Sequence, residues 1–201
     1  NNTEILIRSE GLEEVIKAGK IIVATGSAPI PSPSMPFDNE NILSPDDVIS
    51  MREIPENILI VGGDRIGCEL ASLFNRLGSK VFLCDPRAHV IEKQDPDIIA
   101  AVEDEMKRRK IKLLLNRKPV SIFKEGGKID ITLDGEIKFS TDKIVLAGLR
   151  SANTGTLDAA RLGLRLGERN EVLVNEKMES SVPGIYAAGS VTGRSPDPVL
   201  S

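Results

Sequence analysis

Cysteine and histidine are nearly missing from this chain. It has two of the first, Cys68 and Cys84, and one of the second, His89, in 201 residues. Two thiols 16 positions apart match neither a CxxC redox pair nor a zinc site, and they are too few to staple a fold. They read as small, buried, reduced thiols. A single histidine excludes a His-centred triad or a multi-histidine metal site, so no metal site and no catalytic residue is expected. A basic excess is missing too: 26 Lys and Arg stand against 30 Asp and Glu, a formal charge of −4. That balance argues against a nucleic-acid partner, which calls for a basic stripe. No apolar run approaches the roughly 20 residues that span a bilayer, so no membrane partner is expected. No basic segment precedes an apolar one as in a secretory signal. A cytoplasmic protein is the expectation. The chain starts at Asn1 rather than Met and stops at Ser201 just after a Gly/Pro-rich stretch, so it reads as a piece of something longer.

What is present is apolar patterning, with 40% of residues hydrophobic. Lys20 to Ala24 and Asn57 to Val61 are short apolar runs closed by Thr25-Gly26-Ser27 and Gly62-Gly63, which suits strands buried on both faces of a parallel sheet. Between them, Ala28 to Pro36 carries four prolines and predicts an extended linker. Ile66, Leu70, Leu73, Phe74 and Leu77 recur at helical steps, and Gly78 stands where a helix ends. Val81 to Cys84 reads as a strand ending at Asp85. A second helix follows from Asp95-Pro96, burying Ile98, Ile99, Val102 and Met106, and then a strand over Ile111 to Leu115. Ile129, Ile131 and Leu133 alternate with polar residues between Gly126-Gly127 and Asp134-Gly135, the mark of an antiparallel meander. Lys143 to Ala147, Val172 to Val174 and Ile185 to Ala188 predict further strands. The expected class is α/β: a Rossmann-like parallel sheet with helices on both faces plus a small antiparallel meander.

One segment carries chemistry, Ile58 to Glu69 (ILIVGGDRIGCE). A buried strand running through glycines into a helix presents unpaired N–H groups and a positive dipole end to a diphosphate. In the GxGxxG pattern, Gly62 and Gly67 take the first and third places, while Asp64 holds the second. A carboxylate about 4 Å from a phosphate oxygen costs roughly 1 kcal/mol in water and about 4 at an effective dielectric near 20. Its Cβ also crowds the ligand, and Arg65 offsets the charge only. Asp85 lies 18 positions after Gly67, where an acid accepts hydrogen bonds from ribose hydroxyls and repels a 2′-phosphate. This favours NAD(H) over NADP, although Arg87 and His89 follow as possible phosphate ligands. Asp85 also reads simply as a strand-ending turn residue before Pro86.

With these residues in hand, the chain resembles the pyridine-nucleotide disulfide oxidoreductases, of the dihydrolipoamide dehydrogenase and soluble transhydrogenase type. Ile22 to Ser27 is similar to the family's ATGS segment, and Asn41 to Ser44 with Ile54-Pro55 to its approach to the second Rossmann strand. Ile66-Gly67-Cys68-Glu69 matches IGxE, Gly148 to Thr154 resembles GRxxNT, and Ser181 to Thr192 resembles TSVPGIYAAGDVT. The order of five motifs carries the resemblance. Departures accompany it: Leu149 replaces the glycine before arginine, and Ser190 replaces the aspartate that contacts the flavin ribityl chain. The family's FAD fingerprint, redox cysteine pair and interface domain with its catalytic histidine are not in this sequence.

The resemblance implies returning strands of an FAD-type domain over 1–28, an NAD-binding domain over 29–150, and a return segment over 151–201. It implies cofactor contacts from Gly62, Gly63, Asp64, Arg65, Ile66, Gly67, Glu69, Asp85, Pro86, Arg87, Val120 and Gly148, with Thr25, Gly26 and Ser190 on the flavin side. FAD and a homodimer are implied for the parent protein. The function implied is a unit of an NAD(P)H-dependent flavoprotein that positions nicotinamide for hydride transfer to FAD, inactive as an isolated chain. Bland readings stay open: Thr25-Gly26-Ser27 and Gly189-Ser190 as strand-end turns, and Glu69 as a first-turn helix acid. The alternative for the whole is a degenerate, non-catalytic module that keeps the fold for binding or structure.

Overall fold

The computed structural model describes residues 4–148 and 150–194. The chain divides into two compact units, residues 1–28 with 150–201 and residues 29–149. The first unit opens with an antiparallel hairpin, β1 (Glu4–Ser9) and β2 (Leu12–Lys17), exposed along its whole length. The short strands β3 (Ile21–Val23) and β4 (Ser27–Pro29) follow.

The second unit contains β5 (Ile42–Leu43), β6 (Asn57–Val61), α1 (Arg65–Arg76), β7 (Lys80–Asp85), α2 (Pro96–Arg108), β8 (Lys112–Leu115), β9 (Pro119–Glu125), β10 (Lys128–Leu133), β11 (Lys138–Thr141) and β12 (Lys143–Leu146). Five of its strands form a parallel sheet in the order β5-β12-β6-β7-β8. The expected strand–helix–strand–helix–strand run is β6-α1-β7-α2-β8. Its strands are near-continuous apolar runs because both faces are covered: Ile58, Leu59 and Ile60 are all fully buried.

The covers of the two faces differ. Phe74 and Ala71 of α1 and Met106 of α2 pack on the side of Ile58, Ile60, Val81 and Leu83. The opposite side, with Leu59, Phe82, Cys84, Ile144 and Leu146, is closed by Ile129, Ile131 and Leu133 of β10. So the α/β class holds, with one correction: α1 and α2 share a face, and the meander β11-β10-β9 takes the place of helices on the other. The strict alternation in β10 supplies one apolar face for that contact, and Phe139 of β11 stacks on Phe82 at 4.6 Å.

Helix α1 ends as its glycine predicts. Gly78 adopts φ +96, and Ser79 N–H reaches back to the Phe74 carbonyl, closing the last turn. Its buried face is Cys68, Ala71 and Phe74, whereas Leu73 and Leu77 are about half exposed. In α2, Ile99 and Met106 are buried but Ile98 is 48% exposed, a correction to its place in the core. Asp95 occupies the N-cap position of α2 without a side-chain cap bond. The proline-rich stretch is not a free linker either, since Met35 within it is buried in the second unit's core.

The chain then returns to the first unit as β13 (Arg150–Ala152), α3 (Ala159–Leu162) and β14 (Ile185–Ala187). β14 pairs in parallel with β3, and β13 and β4 form a second two-stranded sheet. Val172–Val174 does not form a strand; Val172 makes one isolated bridge to Leu166. Leu149, read above as a departure from the family's pattern, and residues 195–201 lie outside the described residues. Among the described residues, no helix is long and apolar enough to cross a membrane.

Candidate functional site

The glycine turn between β6 and α1 exists because three backbones meet there. Gly62 donates its N–H to the Cys84 carbonyl at 2.9 Å and adopts φ +116. A Cβ on Gly62 would lie 2.6 Å from the Ala147 carbonyl oxygen, and one on Gly67 only 1.8 Å from the Gly62 carbonyl oxygen. Each position therefore admits glycine alone. Gly148 sits at the same turn, its nitrogen 3.4 Å from where a Cβ on Gly62 would lie. Gly63 holds the next position: its carbonyl accepts the Ile91 N–H at 2.7 Å, so the loop after β7 closes over the turn.

Helix α1 begins immediately afterwards. Its N-cap, Asp64, makes no side-chain bond to the helix, so the first N–H groups of α1 are left without a cap from that residue. The next residues, Arg65 and Ile66, form its first turn with Gly67. Glu69 is exposed one turn in and pairs with Arg65 at 3.4 Å.

Asp85, at the tip of β7, is only 1% exposed and lies beside the turn. Its carboxylate accepts the Gly63 N–H at 2.5 Å and the Arg87 N–H at 2.8 Å. It also takes a bidentate pair from the Arg87 guanidinium, at 2.8 Å to Oδ1 and 2.6 Å to Oδ2. Burial works to raise the Asp85 pKa, but these hydrogen bonds from Arg87 and Gly63 outweigh it and hold the carboxyl below its ordinary value. The third arm of Arg87 reaches Asp64 Oδ1 at 2.7 Å. Pro86 makes the bend between Asp85 and Arg87.

The structure thus brings Gly62, Gly63, Asp64, Gly67, Asp85, Arg87 and Gly148 together, with Arg65, Ile66 and Glu69 on the adjoining helix. Val120 is set apart: it lies on β9 and is 54% exposed. His89, read as a possible phosphate ligand, is engaged instead with Glu103 of α2 at 3.1 Å. In the first unit, Asn153 joins the expected residues, its side chain donating to the Thr25 carbonyl and its N–H to the Gly26 carbonyl, both at 3.0 Å. Gly26 has φ +74, and a Cβ there would be 3.9 Å from both Asn153 Nδ2 and Ser190 Oγ. Sequence reasoning missed two things: the Ala147 carbonyl that backs Gly62, and the Asp64–Arg87 contact. Only the apolar run ending at Ala147 hinted at the first.

Both thiols are buried. Burial pushes Cys68 up to about 12, helped by the neighbouring Asp64 and Asp85 carboxylates, and pushes Cys84 up to about 12 likewise. At pH 8 about one thiol in 10⁴ is then ionised. A thiol reagent at pH 8 is expected to leave both cysteines of the native chain unmodified, and to label both in urea. Fast labelling of either residue without denaturant contradicts this.

Comparison with known proteins agrees with the resemblance. Residues 2–200 match the family described as pyridine nucleotide-disulphide oxidoreductase. The dihydrolipoyl dehydrogenase of Chlamydia muridarum (strain MoPn / Nigg) is 35% identical over 196 residues, covering 96% of this chain and 42% of that protein. The dihydrolipoyl dehydrogenase of Bacillus subtilis (strain 168) is 32% identical over 192 residues, covering 94% and 42%. Among solved structures, LpdA from Mycobacterium tuberculosis aligns with a TM-score of 0.87 at 25% identity, over 98% of this chain and 46% of that one. The HOCl-induced flavoprotein disulfide reductase RclA from Escherichia coli shares the fold, with a TM-score of 0.86 at 22% identity, over 100% and 45%. The chain spans less than half the length of the curated relatives it matches. On its five ordered motifs, its parallel sheet and a family match over nearly its whole length, the chain belongs to the pyridine nucleotide-disulphide oxidoreductase family.

Proposed function

We propose that residues 29–150 bind NAD(H), in preference to NADP, and orient its nicotinamide toward a flavin. One observation carries this reading: Gly62 and Gly67 sit where any Cβ would strike backbone, and Asp64 places no side-chain cap on α1, which starts at the tip of a buried strand. That arrangement suits a diphosphate, which the helix N-terminus attracts through its unpaired amides and dipole. The Gly62–Gly67 turn would hold the diphosphate, and the Asp85 carboxylate would accept the hydroxyls of the adenosine ribose. When bound, the nicotinamide supplies a hydride and the flavin takes it up. The residues of this chain bind and position. Thr25, Gly26, Asn153 and Ser190 form the matching cluster in the first unit, on the flavin side. The carboxylate at Asp85 favours NAD because a 2′-phosphate would meet a buried negative charge.

Calorimetric titration of the chain with NADH tests the reading. Dissociation constants on the order of 100 μM, about −5.5 kcal/mol, are expected, with weaker binding of NADPH. No heat at millimolar NADH would overturn it. The alternative of a degenerate module finds support in one feature, the occupied state of the Asp85 carboxylate, and predicts that negative result.

A further inference from the structure

The Asp85 carboxylate has no acceptor capacity left. An ionised carboxylate offers about four lone-pair sites, and here four N–H groups fill them: Gly63 N–H, Arg87 N–H, and the Nε and Nη2 of Arg87. Two of these donors belong to the backbone and are fixed by the strand tip. The other two belong to one side chain, the only part of the shell able to leave. That side chain is also tied down, because Nη1 of Arg87 bonds Asp64 Oδ1 at 2.7 Å. Asp64 is the residue standing where the fingerprint has its second glycine. The side chains differ sharply in exposure: 2% for Asp85, 28% for Arg87 and 53% for Asp64. The guanidinium therefore lies between the buried acceptor and solvent, latched from the outer side.

We propose that Arg87, latched by Asp64, is a self-supplied plug on the ribose acceptor Asp85, and that it must leave before the adenosine ribose of a dinucleotide can bind. The proposal rests on the dinucleotide reading above. In it, Asp64 weakens the site less by crowding the diphosphate than by holding Arg87 in the place of the ribose. Displaced from Asp85, the guanidinium remains free to follow Asp64 outward, so the plug opens without breaking all of its contacts. An incoming ribose diol has to replace two hydrogen bonds from a cation with two from uncharged hydroxyls, so the carboxylate keeps charge-assisted bonds but loses the attraction of the guanidinium charge. The plug therefore lowers affinity for the adenosine half specifically, and leaves the nicotinamide half untouched.

The test titrates ADP-ribose, which carries the adenosine ribose and diphosphate without nicotinamide, into the chain and into Asp64→Asn, Arg87→Met and the double variant. Asp64→Asn keeps the side-chain shape and loses the latch, so about threefold tighter binding is expected, in line with a partly exposed ion pair. Arg87→Met removes the plug itself and should tighten binding about tenfold. In the double variant the gain from Asp64→Asn should vanish, because there is no longer a guanidinium to latch. Circular dichroism melts establish that each variant is folded. Unchanged or weaker ADP-ribose binding in both single variants, with the unaltered chain still binding, overturns the plug and leaves the dinucleotide reading standing. Absence of binding in the unaltered chain and in every variant overturns both.

Discussion

Replacing Gly67 with alanine is expected to lower the melting temperature by about 10 °C and to abolish dinucleotide binding. One methyl group suffices because of where it lands. The added Cβ would lie 1.8 Å from the Gly62 carbonyl oxygen, a separation that no side-chain rotation relieves, since both partners are backbone. Helix α1 must then shift away from β6. That shift opens the contact of Cys68, Ala71 and Phe74 with the sheet, residues that are almost fully buried. Such repacking belongs to the largest class of single-residue effects, about 4 kcal/mol or more. For a chain of this size that corresponds to roughly 10 °C. Gly155→Ala is the matched control: nothing lies within 4 Å of its added Cβ, and its change should stay within about 0.5 kcal/mol. A Gly67→Ala protein melting within about 2 °C of the unaltered chain would show that α1 and β6 do not approach this closely in solution.

The second large effect is expected at Asp85. Asp85→Asn preserves shape but places an NH₂ among four donors and strands the Arg87 guanidinium over a neutral group. Removing one member of a buried ion pair costs about 3–5 kcal/mol; because the Arg87 side chain is partly exposed, about 3 is expected here. Urea unfolding at pH 7 measures it directly. The pH dependence has a definite sign. The folded Asp85 carboxyl is held below its ordinary value near 3.8, so its stabilising contribution is fully present above that value. It is lost as pH falls through the lower, folded value. The gap between the unaltered chain and Asp85→Asn should therefore be widest near neutrality and narrow only in strong acid. A gap that stays constant down to pH 2 would mean that the charge of Asp85 contributes nothing. NADH binding should weaken in the variant at every pH, since the amide leaves one acceptor oxygen where the carboxylate has two.

Much of the second unit was legible because burial on two faces leaves a strong mark. β6 and β7 are unbroken apolar runs, and β10 alternates Ile129, Ile131 and Leu133 with polar residues. The glycine turn was legible for the same kind of reason: backbone contact tolerates only one residue type. Less visible was which face each element covers. Periodicity reports that an element has an apolar side, but not which layer receives it, so the meander's position opposite the helices could not be inferred. Ile98 shows the limit within one helix: it neighbours Ile99 in sequence, yet only Ile99 is buried. The hairpin β1–β2 left no clear signal because its residues stay exposed, so Ile5, Leu6 and Ile7 follow one another without contrast. The Asp64–Arg87 latch was hidden for another reason. Its partners are 23 positions apart, and only the side-by-side tips of β6 and β7 bring them within reach.

The two units also differ in when they can be completed. The second is a continuous stretch, whereas β3 in the first pairs with β14, Ile21 finding Ile185 as its neighbour. A polypeptide emerging from the ribosome can therefore finish its parallel sheet while Ile21 to Val23 still wait for a partner strand that has not been made. Loop closure over so long an interval is slow relative to local pairing. The pairing of β3 with β14 is thus a late contact, made only after the whole second unit has been synthesised, whereas the hairpin β1–β2 closes as soon as it is made.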